Sequence, residues 1–294
     1  MKRVLTWFLS VVGFFLLSVG FFVAVVTYLS SESPLEKGNL ALIEIEGPIY
    51  ESKAILKQLE KVRKNDDFKA VVIRVNSPGG TVASSQEIHD AVLRLKGEGK
   101  KKVIVSMETV AASGGYYLSA PADWIVANPG TLTGSIGVRL QTMNLEDLMK
   151  WVHLKPETLK SGHYKDIGSP FRQMTPEERG ILEALLKDMH GQFKEAVAQG
   201  RGLSAAEVDL LADGRVFSGR EALEKKLVDQ LGSLEAAVTK AGELAGIKGE
   251  PKVVTIPKEK RSILDLVLGE ASGSVQQLLS GLQMAGHLWP VYLW

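Results

Sequence analysis

The feature that most constrains this chain is a serine between an apolar segment and a pair of glycines. Residues 103–107 read Val-Ile-Val-Ser-Met, the composition of a buried strand, and small residues then lead to Ser113-Gly114-Gly115. Aromatic and aliphatic residues at 116–118 can line one face of a helix. This order predicts a strand, a tight turn and a helix start, with a serine hydroxyl at the turn.

A serine at this turn has two possible roles. The first amides of a helix lack intrahelical partners, so those after Ser113 can point toward a carbonyl that its hydroxyl attacks. That arrangement is a nucleophile beside an oxyanion hole. Serine is also a common helix N-cap, and the local sequence leaves both roles open.

A second glycine-rich turn follows another apolar segment. Residues 70–76 are typical of a strand in a buried parallel sheet, and they run into Gly79-Gly80, whose N–H groups can approach a ligand closely. An ordinary turn before the helix predicted at 84–95 is the alternative. The same patterns predict a helix at 53–64 and strands at 40–47, 124–127 and 136–138.

Repeated strands and helices with glycine turns at the strand ends indicate an α/β fold. Ligands of such folds bind at the carboxyl ends of the strands. Gly80 and Gly114 are therefore expected on the same rim of the sheet, where one amide from each can hold a single carbonyl oxygen.

Composition excludes several classes of function. The formal charge of +1 and the lack of a basic stripe argue against nucleic acid as a partner. The chain has no cysteine, which excludes disulfides, thiolate metal sites and a cysteine nucleophile. No His-Glu-x-x-His pattern or similar ligand spacing is present, so neither a metal nor another cofactor is predicted.

The N-terminus predicts a membrane anchor. Lys2 and Arg3 precede an uncharged run at 4–30, which as a helix spans roughly 40 Å and exceeds the ~30 Å of a bilayer core. Residues 27–30 lack a clear cleavage pattern, which favours an uncleaved signal anchor over a cleaved signal peptide. The two cations keep the N-terminus in the cytoplasm and the rest of the chain outside it.

Three parts of the chain are predicted from these patterns. Residues 1–38 hold the cytoplasmic start, the transmembrane anchor and a polar linker, and residues 39–258 form the catalytic domain. Residues 259–294 are an amphipathic tail that ends in an aromatic segment, 287–294. That segment is too short to span a bilayer, and it could dock on a neighbouring subunit, lie at the membrane interface or enter a substrate groove.

Four motifs in the right order and with the right gaps make the strongest signal. They read Asn-Ser-Pro-Gly-Gly at 76–80, Ala-Ser-Gly-Gly-Tyr-Tyr at 112–117, Thr-Gly-Ser-Ile-Gly-Val at 133–138 and Ser-Gly-His-Tyr-Lys-Asp-Ile-Gly-Ser-Pro at 161–170. Over roughly residues 40–245 the chain resembles the short, single-domain bacterial form of the signal peptide peptidase A family. The resemblance implies a ClpP/crotonase-like α/β fold of repeated strand-strand-helix units, preceded by one N-terminal transmembrane helix. It also implies a membrane-bound serine endopeptidase that degrades remnant signal peptides.

The resemblance also implies roles for individual residues. Ser113 matches the nucleophile of a serine–lysine dyad and Lys165 its general base. Ser135 matches the serine that orients the lysine amine. Gly80 and Gly114 match the residues that donate the oxyanion-hole amides.

The same resemblance implies the partners. Thr81, Val82 and Ala83 would pair with the backbone of a peptide substrate as an added strand. The other partners implied are the cytoplasmic membrane, with the catalytic domain on its extracytoplasmic side, and further copies of this chain in a homo-oligomer.

A lysine acts as a base only when it is neutral, so its pKa must fall from about 10.4 toward 7–8, mainly through burial. Tyr164 and Ile167 flank Lys165, so partial burial is expected. A carboxylate touching the amine would oppose this, but in an extended segment Asp166 faces away from its neighbour. A histidine base stays an alternative, with these candidates: His89, expected to be partly exposed, His153, His163, His190 and His287.

Thr175 to Glu178 reads as a capping box for a helix to about residue 198, whose apolar stripe suits either the core or a subunit interface.

Alternative functions remain open from the residues alone. A related membrane peptidase with one specific protein target is the first alternative. The others are an acyl-CoA enzyme of the same fold, which an outward-facing anchor disfavours, and a scaffold or inhibitor with an inactive site.

Overall fold

The computed structural model describes residues 37–258, residues 291–292 and isolated positions between 7 and 21. Most of the run predicted as a membrane anchor, 4–30, and most of the tail at 259–294 lie outside the described residues. Within the described part of the chain, no helix is both long enough and apolar enough to span a bilayer.

The elements follow one another in a regular alternation of strands and helices. The strands are β1 (Leu40–Glu46), β2 (Ala70–Ser77), β3 (Gly80–Thr81), β4 (Lys102–Ala112), β5 (Trp124–Ala127), β6 (Leu132–Gly134), β7 (Val216–Ser218), β8 (Gln230–Leu231), β9 (Val253–Thr255) and β10 (Val291–Tyr292). The helices are α1 (Lys53–Lys64), α2 (Val82–Gly97), α3 (Gly114–Ser119), α4 (Glu146–Trp151), α5 (Pro176–Arg201), α6 (Ala205–Asp209), α7 (Gly219–Glu224) and α8 (Leu234–Leu244).

The main sheet is almost wholly parallel. Its order is β7-β6-β4-β2-β1-β9, and β5 lies between β4 and β8. Among the described strand pairs of this sheet, only β6–β7 is antiparallel. A separate two-stranded sheet joins β10 to β3 in antiparallel register. The predicted α/β class with a buried parallel sheet is therefore confirmed.

The central strands are buried on both faces, as parallel strands covered by helices are. Helix α8 packs on one face, and α1, α2 and α3 contact β1, β2 and β4. The cluster under α8 consists of alternate residues of four strands and two alanines of the helix: Leu40, Leu42, Ala70, Val72, Ile104, Val126, Ala237 and Ala241.

Strand β4 is longer than its apolar run predicts. It continues past Met107 to Ala112, because it pairs with β5 over Ile104–Met107 and then with β6 over Val110–Ala112. This second pairing carries the strand directly to Ser113. The residues between, Glu108 to Val110, are partly exposed, so their side chains do not show the burial that marks a central strand.

Two other element boundaries differ from the prediction. The strand predicted at 136–138 is wrong, since the short strand is β6, and positive φ angles at Gly134 (77°) and Ser135 (51°) turn the chain out of the sheet after it. Helix α2 begins at Val82, so Val82 and Ala83 are helical and only Thr81 of the three predicted substrate-pairing residues lies in a strand. The predicted helix at 53–64 and the capping box of α5 are confirmed.

Candidate active site

Ser113 lies on the turn between β4 and α3 in a conformation that serine rarely adopts. Its φ and ψ are 55° and −121°, and its side chain does not cap the helix. The hydroxyl is fully buried, and its Oγ atom has no hydrogen-bond partner among the described residues. A strained backbone and an unsatisfied buried hydroxyl are each unfavourable, and such features persist where function requires them.

The two glycine-rich turns lie against each other, as the position of the strand ends predicts. A Cβ atom on Gly114 would lie 3.2 Å from the backbone nitrogen of Gly80 and 3.3 Å from the Cα of Gly79. A Cβ on Gly80 would lie 1.9 Å from the carbonyl oxygen of Ile49. Only glycine fits at either position, and the close approach brings the backbone of Gly80 against Gly114, the residue that follows Ser113.

Ser135 is joined to the Ser113 turn through the backbone. The N–H of Ser113 donates to the carbonyl of Gly134 at 2.8 Å, and the N–H of Ser135 donates to the carbonyl of Arg215 at 2.9 Å. Ser135 is buried and has a positive φ of 51°. The structure therefore brings Ser113, Ser135, Gly80 and Gly114 to the same end of the sheet.

Lys165 lies in a surface loop made of successive turns. Its N–H donates to the carbonyl of Gly162 at 3.1 Å, and the residue is exposed. The partial burial predicted for it is not observed, because no described part of this single chain covers the loop. Since the Oγ of Ser113 makes no hydrogen bond, the amine of Lys165 is not in direct contact with it in this structure.

The carboxylate of Asp166 is turned toward cations other than Lys165. It accepts hydrogen bonds from Arg172 Nε at 2.9 Å and from Lys160 Nζ at 2.6 Å. These two partners, Arg172 first, hold the pKa of the Asp166 carboxyl well below its usual range. Because both of its oxygens are engaged, this carboxylate is not free to neutralise the neighbouring amine.

None of the histidine candidates at 89, 153, 163 and 190, which lie in the described part of the chain, is hydrogen-bonded to the Oγ of Ser113. His89 is buried rather than partly exposed as expected, because its ring packs edge-on against Tyr117 with centroids 4.9 Å apart, and burial lowers the pKa of His89. His163 is exposed and packs against the ring of Tyr164. His287 lies outside the described residues. No group of residues within the described ranges could hold a metal ion.

Residues 96–248, more than half of the chain, match the sequence model of peptidase family S49. The chain belongs to peptidase family S49. Residues 39–125 also match the Clp protease model, which agrees with the parallel sheet and with the ClpP-like fold predicted from the motifs.

Individual S49 relatives carry protease names. A provisionally named protease of Synechocystis is 46% identical over 71% of this chain and 75% of its own length. Protease 4 of Salmonella typhi is 35% identical over 76% of this chain and 35% of its own length. A provisionally named signal peptide peptidase A of Enterococcus faecium is 36% identical over 64% of this chain and 55% of its own length. The chain is thus a serine peptidase similar to signal peptide peptidase A, as its motifs predict.

Two further features of the S49 site lie outside the four motifs. Ser85 is buried beside the two glycines, where a Cβ on Gly114 would lie 2.3 Å from its Oγ atom, and its hydroxyl donates to the carbonyl of Thr81 at 3.0 Å. Strand β10 pairs with β3, so that Val291 lies opposite Thr81 and Tyr292 opposite Gly80. No local signal marks Ser85 in the sequence. For the segment that contains β10, 287–294, the sequence left three placements open, and entry into a substrate groove was one of them.

Proposed function

We propose that this S49 peptidase is a membrane-anchored serine endopeptidase that cleaves apolar peptides with a Ser113–Lys165 dyad. One observation carries the proposal: the buried Ser113 hydroxyl has no hydrogen-bond partner among the residues that the structure describes, and it lies beside two glycine turns in close contact. A buried hydroxyl with a purely structural role would be expected to make a hydrogen bond.

In the proposed mechanism, the amine of Lys165 takes the proton of Ser113 as the hydroxyl attacks the substrate carbonyl. The amides of Gly80 and Gly114 donate to the oxyanion that develops. Lys165 then passes the proton to the leaving amine, and an acyl-enzyme remains on Ser113. A water molecule activated by Lys165 hydrolyses that ester and restores the serine.

The proposed substrate is an extended apolar peptide, most simply a remnant signal peptide. The pairing of β10 with β3 supports it, because it indicates that the edge of β3 accepts an added antiparallel strand. The name of the Enterococcus faecium relative, a signal peptide peptidase, supports the same substrate class. An anchor at 4–30 would keep the catalytic domain beside such peptides, on the extracytoplasmic side of the membrane.

A homo-oligomer is part of the proposal, because Lys165 is exposed in the single chain. A lysine base has to lose water to be neutral near pH 7. The segment that carries Lys165 also exposes large apolar side chains, with Met143 at 65%, Trp151 at 78% and Leu159 at 93% exposure. A neighbouring subunit that covers these side chains would bury apolar surface and could shield the amine.

The test compares three variants of the full-length chain in detergent micelles with a fluorogenic apolar peptide. Ser113→Ala and Lys165→Ala are expected to lower kcat by at least about 10³-fold, with little change in Tm. Lys155→Ala, which removes another exposed lysine of the same region, is expected to leave kcat unchanged. A serine-directed probe should label the wild type and not Ser113→Ala.

Two results would contradict the proposal. Labelling that persists in Ser113→Ala would exclude this serine as the nucleophile. Substantial activity in Lys165→Ala would exclude the lysine as the base, and activity lost on substitution of His89 or His163 would then identify a histidine in its place.

A further inference from the structure

Both chain neighbours of Lys165 are attached to the first turn of helix α5. The hydroxyl of Tyr164 donates to the carboxylate of Glu177. On the other side, Asp166 is bound by Arg172, and Arg172 is bound to Glu178. The lysine therefore lies between two attachments to the same helix end.

A single guanidinium makes the second attachment. The Nε of Arg172 donates to the Asp166 carboxylate at 2.9 Å, and one terminal nitrogen donates to the Asp166 backbone carbonyl at 3.2 Å. Both terminal nitrogens also reach Glu178, one of them at 2.8 Å. Arginine suits such bridging, because its planar fork presents several donors in a fixed geometry.

The carboxylates of this bridge are shielded from water, which sets it apart from an ordinary surface ion pair. The side chains of Asp166 and Glu178 are 12% and 4% exposed. Arg172 is the largest cause that lowers the pKa of the Glu178 carboxyl, to about 2. Charged groups this poorly hydrated need their partners, so the bridge holds its geometry more firmly than an exposed pair does.

Helix α5 provides a rigid support for the bridge. Its first turn is fixed by the capping box, in which Thr175 and Glu178 exchange hydrogen bonds, and by Pro176 at the first helical position. Farther along, Phe193 and Val197 are fully buried in the core. Glu178 thus joins the loop of Lys165 to an element that does not move independently of the domain.

We infer that Arg172, together with Asp166 and Glu178, positions Lys165 for catalysis by holding its backbone at a fixed place relative to α5. These three residues are called the clamp below. The clamp also keeps the Asp166 carboxylate engaged with Arg172 and Lys160, away from the neighbouring amine. This inference rests on the proposed role of Lys165 as the base, and it makes Arg172 a positioning residue that touches no substrate.

The experiment measures kcat, KM and the rate of labelling by a serine-directed probe in Asp166→Ala, Arg172→Gln and Arg172→Lys. Asp166→Ala removes the carboxylate part of the link to Lys165 and leaves the bond of Arg172 to the backbone carbonyl of residue 166. The Arg172–Glu178 pair and the capping box stay intact, so this variant tests the inference even if Arg172→Gln folds poorly. We expect kcat to fall about 10- to 100-fold in Asp166→Ala, because a displacement of about 1 Å in a catalytic group costs this much. KM should stay within about twofold, since no substrate contact is removed.

A matched control variant is available at Arg63, which lies far from Lys165 in the sequence. Arg63 also bridges two carboxylates, donating to Glu60 at 2.7 Å and to Glu98 at 3.0 Å, and its side chain is 32% exposed, as is that of Arg172. Arg63→Gln should leave kcat and the labelling rate unchanged. Arg172→Lys, which keeps the charge and loses the fork, should have a kcat between those of Arg172→Gln and the wild type.

A double-mutant cycle separates the failure of this inference from the failure of the dyad. If the clamp acts through Lys165, Asp166→Ala has no further effect on residual activity in a Lys165→Ala background. A fall of equal size in both backgrounds would overturn the inference, as would wild-type kcat in both Asp166→Ala and Arg172→Gln. Full activity of Lys165→Ala by itself would instead refute the dyad.

Discussion

The backbone N–H of Ser113 donates a 2.8 Å hydrogen bond to the carbonyl of Gly134, which places the proposed nucleophile beside the peptide group that leads into Ser135. The N–H of that same peptide group donates to the carbonyl of Arg215 at 2.9 Å. Both serines have positive φ angles, 55° and 51°. One peptide group therefore holds two strained serines in a fixed relation to each other.

This relation leads to a prediction about the hydroxyl of Ser135. We expect Ser135→Ala to lower kcat by about tenfold or more, because the lysine amine would lose the group proposed to orient it. Ser135→Gly is the matched variant, since glycine accepts a positive φ without strain. Equal losses of kcat in both variants would identify the hydroxyl as the cause, whereas wild-type kcat in the glycine variant would show that only the backbone matters.

Gly114→Ala tests the proposed oxyanion hole, which consists of the backbone amides of Gly80 and Gly114. The added Cβ would press on the nitrogen of Gly80 and on the hydroxyl of Ser85, so the amides would have to move apart. Loss of one oxyanion donor typically costs about 10²–10³ in kcat, and we expect a fall of that size. Gly180→Ala is a control in α5, where an added Cβ meets no atom within 4 Å. Unchanged kcat in Gly114→Ala would contradict the proposed oxyanion hole.

Removal of residues 286–294 tests the meaning of strand β10. Because β10 pairs with the edge of β3 that a substrate is proposed to use, its removal should lower KM for short peptides. Val291→Pro should act in the same direction, since proline cannot donate to a strand partner, while Val291→Ala keeps the backbone donor. Peptidase assays with all three variants, together with oligomer size and membrane retention, provide the check. No change in any of these properties would leave β10 without a functional role.

Trp151→Asp tests the proposed oligomer. A charge in the exposed apolar segment near Lys165 should weaken subunit contacts and lower both oligomer mass and kcat. Leu210→Asp is matched to it, because Leu210 and Trp151 are both 78% exposed and Leu210 lies in a different part of the chain. Size-exclusion chromatography with light scattering measures the mass. The same oligomer mass and the same kcat in Trp151→Asp and Leu210→Asp would argue against an interface at Trp151.

The ion pair of Glu178 predicts a pH dependence of stability. Its folded pKa of about 2 lies below the ordinary value of about 4.3, so the stabilisation is present above the ordinary value and is lost as the pH falls toward 2. Glu178→Gln keeps the capping hydrogen bonds and removes the charge. The Tm of Glu178→Gln should be lower than that of the wild type at pH 7. This difference in Tm should become smaller as the pH falls below about 4.5.

Glu207→Gln provides the comparison for this pH series. Glu207 occupies the same position in the capping box of α6, but its pKa is lowered mainly by the backbone N–H of Ser204 rather than by an arginine. We therefore expect Glu207→Gln to lower Tm at pH 7 by less than Glu178→Gln does. A gap between wild type and Glu178→Gln that stays constant from pH 7 to pH 2 would contradict the prediction.

Much of the fold could be predicted from local patterns. The apolar runs at 40–47 and 70–76 became central strands, and helical spacing placed α1 correctly. The strand predicted at 136–138 was wrong, because periodicity does not reveal a positive φ at a residue other than glycine. The extension of β4 to Ala112 depends on pairing with β6, a contact between distant residues that no local pattern contains.

The candidate site could also be predicted only in part from the sequence. The meeting of Gly80 with Gly114 follows from strand ends lying on one rim, and the sequence was sufficient for it. The exposure of Lys165 could not be predicted, since burial of a loop depends on what packs over it. The Arg172 bridge was also missed, because arginine and glutamate at this spacing are common on surfaces and only the folded loop brings Asp166 to them.

The peptide group between Gly134 and Ser135 has a consequence for the order of assembly during synthesis. Its N–H partner, the carbonyl of Arg215, and the β7 residue opposite Gly134, Val216, emerge from the ribosome long after Ser113. A nascent chain that stops short of them carries the serine without the tether that shapes its turn. Because this tether is completed late in synthesis, we expect hydrolytic competence to be delayed until most of the polypeptide has been made.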